Sequence, residues 1–205
     1  LDPMVPQYIA DLVSWTAIGA RTTESQTHRQ MASGLSMPVG FKNSTNGDFT
    51  VAINAAQAAR KTQSFLGISQ DEGKVCIFHT NGNPDTHLIL RGGSDGPNYS
   101  AEHVVMAEAV LEKAGMTKSI MIDCNHANSD KDPYKQPEIL ENIVQQKKDG
   151  NKSIIGFMVE SHINGGNQSI TKDLSKLKHG VSITDACIDW EATEQMLKDA
   201  AKNLV

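Results

Sequence analysis

The chain has 205 residues, of which 39% are hydrophobic and 21% charged, and its formal net charge is -5 at pH 7. This length and composition are typical of one soluble globular domain, and the scattered lysines and arginines exclude a basic surface for nucleic acid or an anionic membrane. No apolar run approaches the roughly 20 residues of a membrane span, and no signal peptide opens the sequence. Cys76, Cys124 and Cys187 lie far apart, which favours reduced thiols in a cytoplasmic protein.

Five helices are predicted from caps, glycines and apolar periodicity, and they alternate with short apolar strands as in a parallel α/β sheet. Thr23 and Gln26 form a capping box for the first helix, which Gly34 ends. Asp48 caps a second helix over residues 49–60. The other three helices are predicted at 100–115, 137–150 and 190–204.

The alternation breaks between residues 65 and 90. Two short strands at 75–78 and 86–90 flank the turn sequence Asn81-Gly82-Asn83-Pro84. This pattern predicts a β-hairpin inserted near residues 74–90. No repeat, linker or low-complexity stretch interrupts the chain, so we expect residues 1–205 to form a single domain.

Five apolar segments each end in a residue that carries charge or can bind a metal. These residues are Arg21, Lys42, Arg91, His126 and Glu160, and Asp185 follows in the next loop. A parallel β/α array gathers the carboxyl ends of its strands on one face, so we expect the six side chains to share one pocket. Three cations beside three potential metal ligands indicate a phosphorylated substrate next to a divalent metal.

Five β/α units do not close a barrel, and an open sheet of this kind leaves strand edges unpaired. Three explanations are open at this point. Further units precede these residues in the natural protein, another polypeptide supplies them, or the fold is an open doubly wound sheet.

The predicted anion site consists of three cations, each with glycine nearby. Gly19 and Ala20 let a ligand approach the backbone, and Arg21 offers a planar fork for phosphate or carboxylate. Lys42 and Arg91 repeat the arrangement after later strands. A single strand-end arginine is more often part of a surface ion pair, but three coincidences favour a binding site.

The predicted metal ligands are His126, Glu160 and Asp185. One imidazole and two carboxylates suit Mn²⁺, Fe²⁺, Co²⁺ or Zn²⁺. Taken singly, such residues are more often caps or hydrogen-bonded structural groups. His162 and Asp123 are alternative ligands by spacing, and the remaining histidines are predicted at the surface: His28, His79, His87, His103 and His179.

These motifs, together with the run from Gly34 to Asn43, closely resemble the carboxyl-terminal part of the class I microbial 3-deoxy-D-arabino-heptulosonate 7-phosphate (DAHP) synthases. The resemblance covers essentially the whole chain. It implies a TIM (β/α)₈ barrel, of which this chain is units four to eight, that condenses phosphoenolpyruvate with erythrose 4-phosphate and water. The products are DAHP and phosphate, in the first step of the shikimate pathway to aromatic amino acids.

The resemblance also implies roles for individual residues. Phosphoenolpyruvate is bound by the residues matching Gly19, Ala20, Arg21, Lys42 and Arg91. The metal is held by those matching His126, Glu160 and Asp185, and the implied catalytic residues are Lys42, His126 and Asp185.

The chain departs from the family in two respects. The family's metal-ligating cysteine after the first barrel strand and its Lys-Pro-Arg-Thr segment for the erythrose 4-phosphate phosphate do not occur here. Cys124 and Cys187 do not match that cysteine. Two alternatives are therefore a sister 3-deoxy-octulosonate 8-phosphate synthase, which the run from Arg21 to Gln26 disfavours, and a catalytically silent fragment lacking the first three units.

Family members of this type carry a feedback-inhibitor site away from the catalytic face. Its positions match Pro6, Gln7, Met31, Leu35, Ser36, Phe65, Gly67 and Ile77. Gly67 leaves room for a phenol hydroxyl where a serine would intrude, so tyrosine is expected as the inhibitor rather than phenylalanine. A homo-oligomer, either a dimer or a tetramer, is also expected.

Overall fold

The computed structural model describes residues 1–69 and 71–204. In chain order its main elements are β1 (Thr16–Ile18), α1 (Gln26–Gly34), β2 (Val39–Lys42), α2 (Phe49–Ala59), β3 (Gln63–Ile68), β4 (Val75–Thr80), β5 (Thr86–Leu90), α3 (Ala101–Lys113), β6 (Ile120–Asp123), α4 (Gln136–Lys148), β7 (Ile154–Met158) and α5 (Trp190–Leu204). None of the described helices is both long and apolar enough to cross a lipid bilayer.

Five strands form a parallel sheet in the order β1-β2-β5-β6-β7, which confirms the predicted α/β class. All five residues of β5, in the middle of this sheet, are buried, as expected for a strand covered on both faces. Phe41, Leu90 and Ile122 lie at the centre of the core, and α2 and α3 pack small and branched residues against it. The carboxyl ends of the five strands therefore meet at one edge.

The inserted hairpin lies earlier in the chain than the predicted 74–90, so that boundary was wrong. Strands β3 and β4 pair antiparallel, with Phe65 opposite Phe78 and Gly67 opposite Cys76, while residues 86–90 form β5 of the main sheet. The segment at 81–84 lies between β4 and β5 and is held by hydrogen bonds of Asn83. The Asn83 amide side chain donates to the Met37 carbonyl at 2.9 Å, and its backbone N–H to Ala59 at 2.9 Å. These bonds fix the segment that leads into β5, and the sequence does not serve as the turn of a β-hairpin.

The first helix is capped two residues later than predicted. Ser25, not Thr23, is the N-cap residue of α1, and its hydroxyl accepts from the His28 N–H. Thr23 instead donates to the carbonyls of Gly19 and Lys42, at 2.9 Å in each case. The cap by Asp48 is confirmed, and α5 spans the predicted residues 190–204.

His87 was wrongly predicted at the surface, since it is only 4% exposed. It lies on β5, and Trp15 Nε1 donates to its Nε2 at 3.1 Å. Gly40 on the neighbouring strand leaves the necessary room, because a Cβ there would lie 2.8 Å from His87 Nε2. Burial lowers the pKa of His87 to about 4, against a backbone contact at Asp85 that raises it, so the ring is neutral at physiological pH.

Candidate active site

A cavity of about 490 Å³ opens at the carboxyl edge of the sheet. We call it the cation cavity, after its three cationic side chains. It is lined by Gly19, Ala20, Arg21, Thr22, Lys42, Thr45, Arg91 and His126. The structure thus brings together all five residues that were predicted to bind phosphoenolpyruvate.

The loop after β1 is fixed to the end of β2, and Arg21 and Lys42 both line the cation cavity. The backbone N–H groups of Thr22 and Thr23 donate to the Gly19 carbonyl at 3.0 Å. The buried Thr23 hydroxyl contacts both Gly19 and the Lys42 carbonyl. A threonine therefore ties two strand ends together, while Arg21 itself stays exposed to a ligand.

Arg91 approaches the cation cavity from β5 and is only 9% exposed. Burial lowers its pKa from the ordinary value, Asp123 raises it, and Arg21 adds to the lowering. A guanidinium remains charged under such influences. Two arginines and a lysine thus face one cavity, a concentration of positive charge that suits a ligand with several negative charges.

Three buried asparagines lock the loops around Arg91. Asn43 Oδ1 accepts from the Arg91 N–H at 2.8 Å, and Asn98 Oδ1 from the Gly92 N–H at 2.7 Å. Asn128 Oδ1 accepts from the Asn98 N–H at 2.8 Å, and its amide donates to the Asp123 carbonyl at 2.8 Å. These residues were missed from sequence, although Asn43 directly follows a strand-end cation.

The three predicted metal ligands, which we call the ligand triad, converge beside the cation cavity. His126 Nε2 lies 3.5 Å from Glu160 Oε1 and 3.8 Å from Asp185 Oδ2. All three ligand atoms lie within 4.8 Å of one another. An ion about 2.1 Å from each atom holds them roughly 3 to 3.5 Å apart, so the donor set and its spacing fit a divalent metal.

The alternative ligands are placed elsewhere. His162 Nδ1 accepts from the Ile163 N–H at 2.8 Å, and the ring lies outside the triad. Cys124 and Cys187 are buried, and burial raises the pKa of each thiol. Asp123 is also outside the group and contacts the side chains of Lys42 and His126 instead.

Glu160 is held by two amide side chains that sequence reasoning missed. Gln136, fully buried at the start of α4, accepts from the Glu160 N–H at 2.8 Å and donates to its carbonyl at 3.0 Å. Asn125 donates to Glu160 Oε2 at 2.5 Å. Burial raises the pKa of Glu160, while His126 and Asn125 lower it. These contacts orient the Glu160 carboxylate toward His126 Nε2.

A second cavity, of about 440 Å³, lies between α1, the hairpin and the amino-terminal segment. Seven of the eight residues predicted for the inhibitor site line it: Pro6, Gln7, Met31, Leu35, Ser36, Phe65 and Gly67. Ile77 does not, because strand side chains alternate and Ile77 pairs with Leu66 on the exposed hairpin face. Phe78 lines the cavity in its place.

The space above Gly67 is filled by an aromatic ring. A Cβ on Gly67 would lie 2.5 Å from Phe78 Cε2. A serine there would therefore first displace the Phe78 ring. Gly67 does not itself leave an open space for a phenol hydroxyl, and a change at this position would act on the cavity through Phe78.

A sequence model of the DAHP synthetase I family matches residues 1–198. The chain is 58% identical over 203 residues to the Tyr-sensitive phospho-2-dehydro-3-deoxyheptonate aldolase of Enterobacter agglomerans, covering 99% of this chain and 94% of that protein. It is 56% identical over 204 residues to the Tyr-sensitive enzyme of Escherichia coli (strain K12), of which it spans 57%.

The solved structure of phospho-2-dehydro-3-deoxyheptonate aldolase from Francisella tularensis SCHU S4 superposes with a TM-score of 0.93 at 48% identity. The match covers 100% of this chain and 59% of that one. The chain thus spans nearly all of one relative and little more than half of the other two proteins. On the family match and these identities, the chain belongs to the DAHP synthetase I family.

Proposed function

We propose that this chain carries the phosphoenolpyruvate and metal sites of a DAHP synthase, which condenses phosphoenolpyruvate with erythrose 4-phosphate and water to give DAHP and phosphate. One observation carries the proposal. His126 lines the cation cavity and also belongs to the ligand triad, so a bound anion and a bound metal would be neighbours.

Phosphoenolpyruvate matches the cation cavity in charge. Its phosphate and carboxylate together present several negative oxygens, and the two arginines offer planar forks for them while Lys42 adds an ammonium. Each charge-assisted contact of this kind is worth about 1.5–3 kcal/mol. The cavity would thus fix the enol carbon in one position for attack on the aldehyde.

The ligand triad would hold Mn²⁺, Fe²⁺, Co²⁺ or Zn²⁺, which supplies Lewis-acid polarisation of a carbonyl when bound. A residue of the chain itself would handle proton transfer. Lys42 Nζ is held at 2.7 Å from Asp123 and lines the cavity, where it is placed to exchange a proton with the reacting atoms. C3 of phosphoenolpyruvate would bond to the aldehyde carbon, water would add to the resulting cationic C2 and lose a proton, and cleavage of the C2–O bond would release phosphate and leave the ketone of DAHP.

We further propose that residues 1–205 are one domain comprising units four to eight of a (β/α)₈ barrel. Both outer strands support this, because β1 and β7 each pair with one neighbour among the described strands. Ile155 on β7 and Trp190 on α5 are 53% and 60% exposed, as if further units covered them. Units one to three would also supply the family's metal-ligating cysteine and its second phosphate site.

The experiment is an assay of the purified protein with phosphoenolpyruvate and either erythrose 4-phosphate or arabinose 5-phosphate. DAHP and phosphate in equal amounts from the first pair support the proposal, whereas preference for arabinose 5-phosphate favours the sister 8-phosphate synthase. Intact mass is measured on the same sample. A sample of 22.2 kDa that binds metal and phosphoenolpyruvate without turnover indicates the silent fragment.

We propose that the second cavity binds tyrosine as a feedback inhibitor in a cytoplasmic homo-oligomer, a dimer or a tetramer. Seven of the expected residues share that cavity, and two of the relatives above are described as Tyr-sensitive. Gln7 supports a regulatory connection, because its side chain donates to the Ile68 carbonyl at 2.7 Å and so links the amino-terminal segment to the hairpin.

A further inference from the structure

We propose that Asp123 is a positioning residue that serves the ligand triad and the cation cavity at once. It holds the His126 ring so that Nε2 faces Glu160 and Asp185, and it holds the Lys42 ammonium at the wall of the cation cavity. The inference rests on the proposed function for its substrate, but its test measures binding and does not need turnover.

Asp123 is a fully buried carboxylate at the end of β6, and it contacts two charged or polar side chains, one at the end of β2 and one in the loop after β6. Its Oδ2 lies 2.7 Å from Lys42 Nζ and 2.9 Å from His126 Nδ1. Its Oδ1 accepts from the Asn125 N–H at 2.9 Å. One carboxylate thus contacts a residue of the anion site, a residue of the metal site and the loop that carries the latter.

The position of the contact on the His126 ring decides its role. Asp123 faces Nδ1, whereas Glu160 and Asp185 face Nε2. Within residues 1–69 and 71–204, Nδ1 is buried without a well-aligned hydrogen bond, so this carboxylate is the acceptor available to it. An acceptor on Nδ1 keeps the proton there and leaves the Nε2 lone pair free for a metal, which is the usual arrangement of carboxylate, histidine and metal.

The His126 backbone also needs an anchor. His126 has φ of 56°, in the left-handed region, and Asp130 and Lys131 in the same loop have φ of 54° and 63°. Such a conformation costs a non-glycine residue about 1–3 kcal/mol, so surrounding contacts must hold it. Asp123 supplies contacts to both the ring and the adjacent Asn125 N–H.

Charge supports the same assignment. The Asp123 carboxylate is fully buried and lies 2.7 Å from the Lys42 ammonium, with which it forms an ion pair. An ionised carboxylate in this place offsets the positive charge of the cavity and holds Lys42 in one position. Loss of that charge would therefore weaken both sites, although Asp123 belongs neither to the ligand triad nor to the lining of the cation cavity.

The test compares Asp123→Asn with Lys42→Met, the double variant and the matched control Asp130→Asn. Asp130 lies on the same loop but is exposed and paired only with the exposed Lys135 among the described residues. Zn²⁺ affinity is measured by competition with a chromophoric chelator, and phosphoenolpyruvate affinity by calorimetry at saturating metal. Circular dichroism and thermal unfolding establish that each variant is folded.

We expect Asp123→Asn to weaken Zn²⁺ binding about 10- to 100-fold, the usual effect of losing a partner of a metal-bound histidine. Lys42→Met should weaken phosphoenolpyruvate binding and change Zn²⁺ affinity by less than about threefold. The double variant should bind phosphoenolpyruvate no more weakly than Lys42→Met alone, because Asp123 acts on that ligand through Lys42. Asp130→Asn should match the unmodified protein in both measurements.

A folded Asp123→Asn protein with unchanged Zn²⁺ affinity would overturn the proposal, as would additive losses of phosphoenolpyruvate affinity in the double variant. If Asp123→Asn does not fold, ¹⁵N-histidine NMR of the unmodified, zinc-loaded protein decides. A proton on His126 Nδ1 and zinc on Nε2 supports the assignment, and the reverse contradicts it. An enzyme that fails to turn over the proposed substrates would refute the proposed function and leave these binding results standing.

Discussion

Acid should destabilise the fold through His87. The folded protein holds the pKa of this ring at about 4, whereas its ordinary value is 6.5, because burial disfavours the charged imidazolium. A lowered pKa in the folded state means that the unfolded chain binds the proton more tightly. His87 therefore does not reduce the free energy of unfolding above about pH 6.5. It reduces this free energy progressively as the pH falls from 6.5 toward 4, and below pH 4 it causes no further change.

The magnitude follows from the two values. The difference between a pKa of 6.5 and one of about 4 corresponds to about 3 kcal/mol of unfolding free energy in full, of which about 2 kcal/mol is lost between pH 7.5 and pH 5. The contact with Trp15 adds to this sensitivity, since an imidazolium Nε2 carries a proton and no longer accepts the indole N–H.

The assay is urea unfolding of the unmodified protein and a His87→Gln variant at pH 7.5 and pH 5. Glutamine does not titrate, so the loss of stability on acidification should be about 2 kcal/mol smaller in the variant, whatever its absolute stability. The carboxylates that titrate in this range contribute equally to both proteins and cancel. Equal pH dependence in the two proteins would refute the reasoning.

Four further predictions concern the sites. Lys42→Ala or Arg91→Ala should weaken phosphoenolpyruvate binding about tenfold to hundredfold, measured by calorimetry, and an unchanged affinity in both would remove the cation cavity as the binding site. Alanine at any member of the ligand triad should lower the metal content found by elemental analysis, and a variant with full metal content identifies a residue that is not a ligand. Gly92→Ala should destabilise the protein by about 1–3 kcal/mol in urea unfolding, since Gly92 has φ of 71° and a Cβ would lie 2.7 Å from backbone; an unchanged midpoint contradicts this. Gly67→Ser should displace Phe78 and raise the tyrosine concentration needed for half-inhibition, and stronger inhibition by phenylalanine than by tyrosine in the unmodified enzyme would overturn the inhibitor assignment.

The convergence of the charged side chains at one edge of the sheet was predictable from sequence because a strand end is a local signal. A short apolar run with Arg21, Lys42 or Arg91 at or near its end indicates where a parallel sheet points its functional groups. The same signal predicts that His126, Glu160 and Asp185 lie together, as they do. The helix ends were also predictable where the cap is local, as at Asp48.

Pairing and orientation were less predictable, because they depend on residues far apart in sequence. The sequence at 81–84 was interpreted as a hairpin turn but leads into β5, and only the register of Phe65 with Phe78 shows which strands form the hairpin. Spacing placed Asp123 near the metal ligands without showing that it faces Lys42 and the far side of the His126 ring. His87 is buried because Gly40 on the neighbouring strand leaves space for its ring and Trp15, far away in sequence, donates a hydrogen bond to it.

The central claim is that the cation cavity and the ligand triad form one active site. The most direct measurement is ³¹P NMR relaxation of phosphoenolpyruvate bound to the protein loaded with paramagnetic Mn²⁺, with diamagnetic Zn²⁺ as the reference. Because His126 belongs to both groups, we predict strong Mn²⁺-dependent broadening of the phosphate signal, which disappears in Lys42→Ala. Bound phosphoenolpyruvate with the same relaxation in the Mn²⁺ and Zn²⁺ proteins would contradict the account.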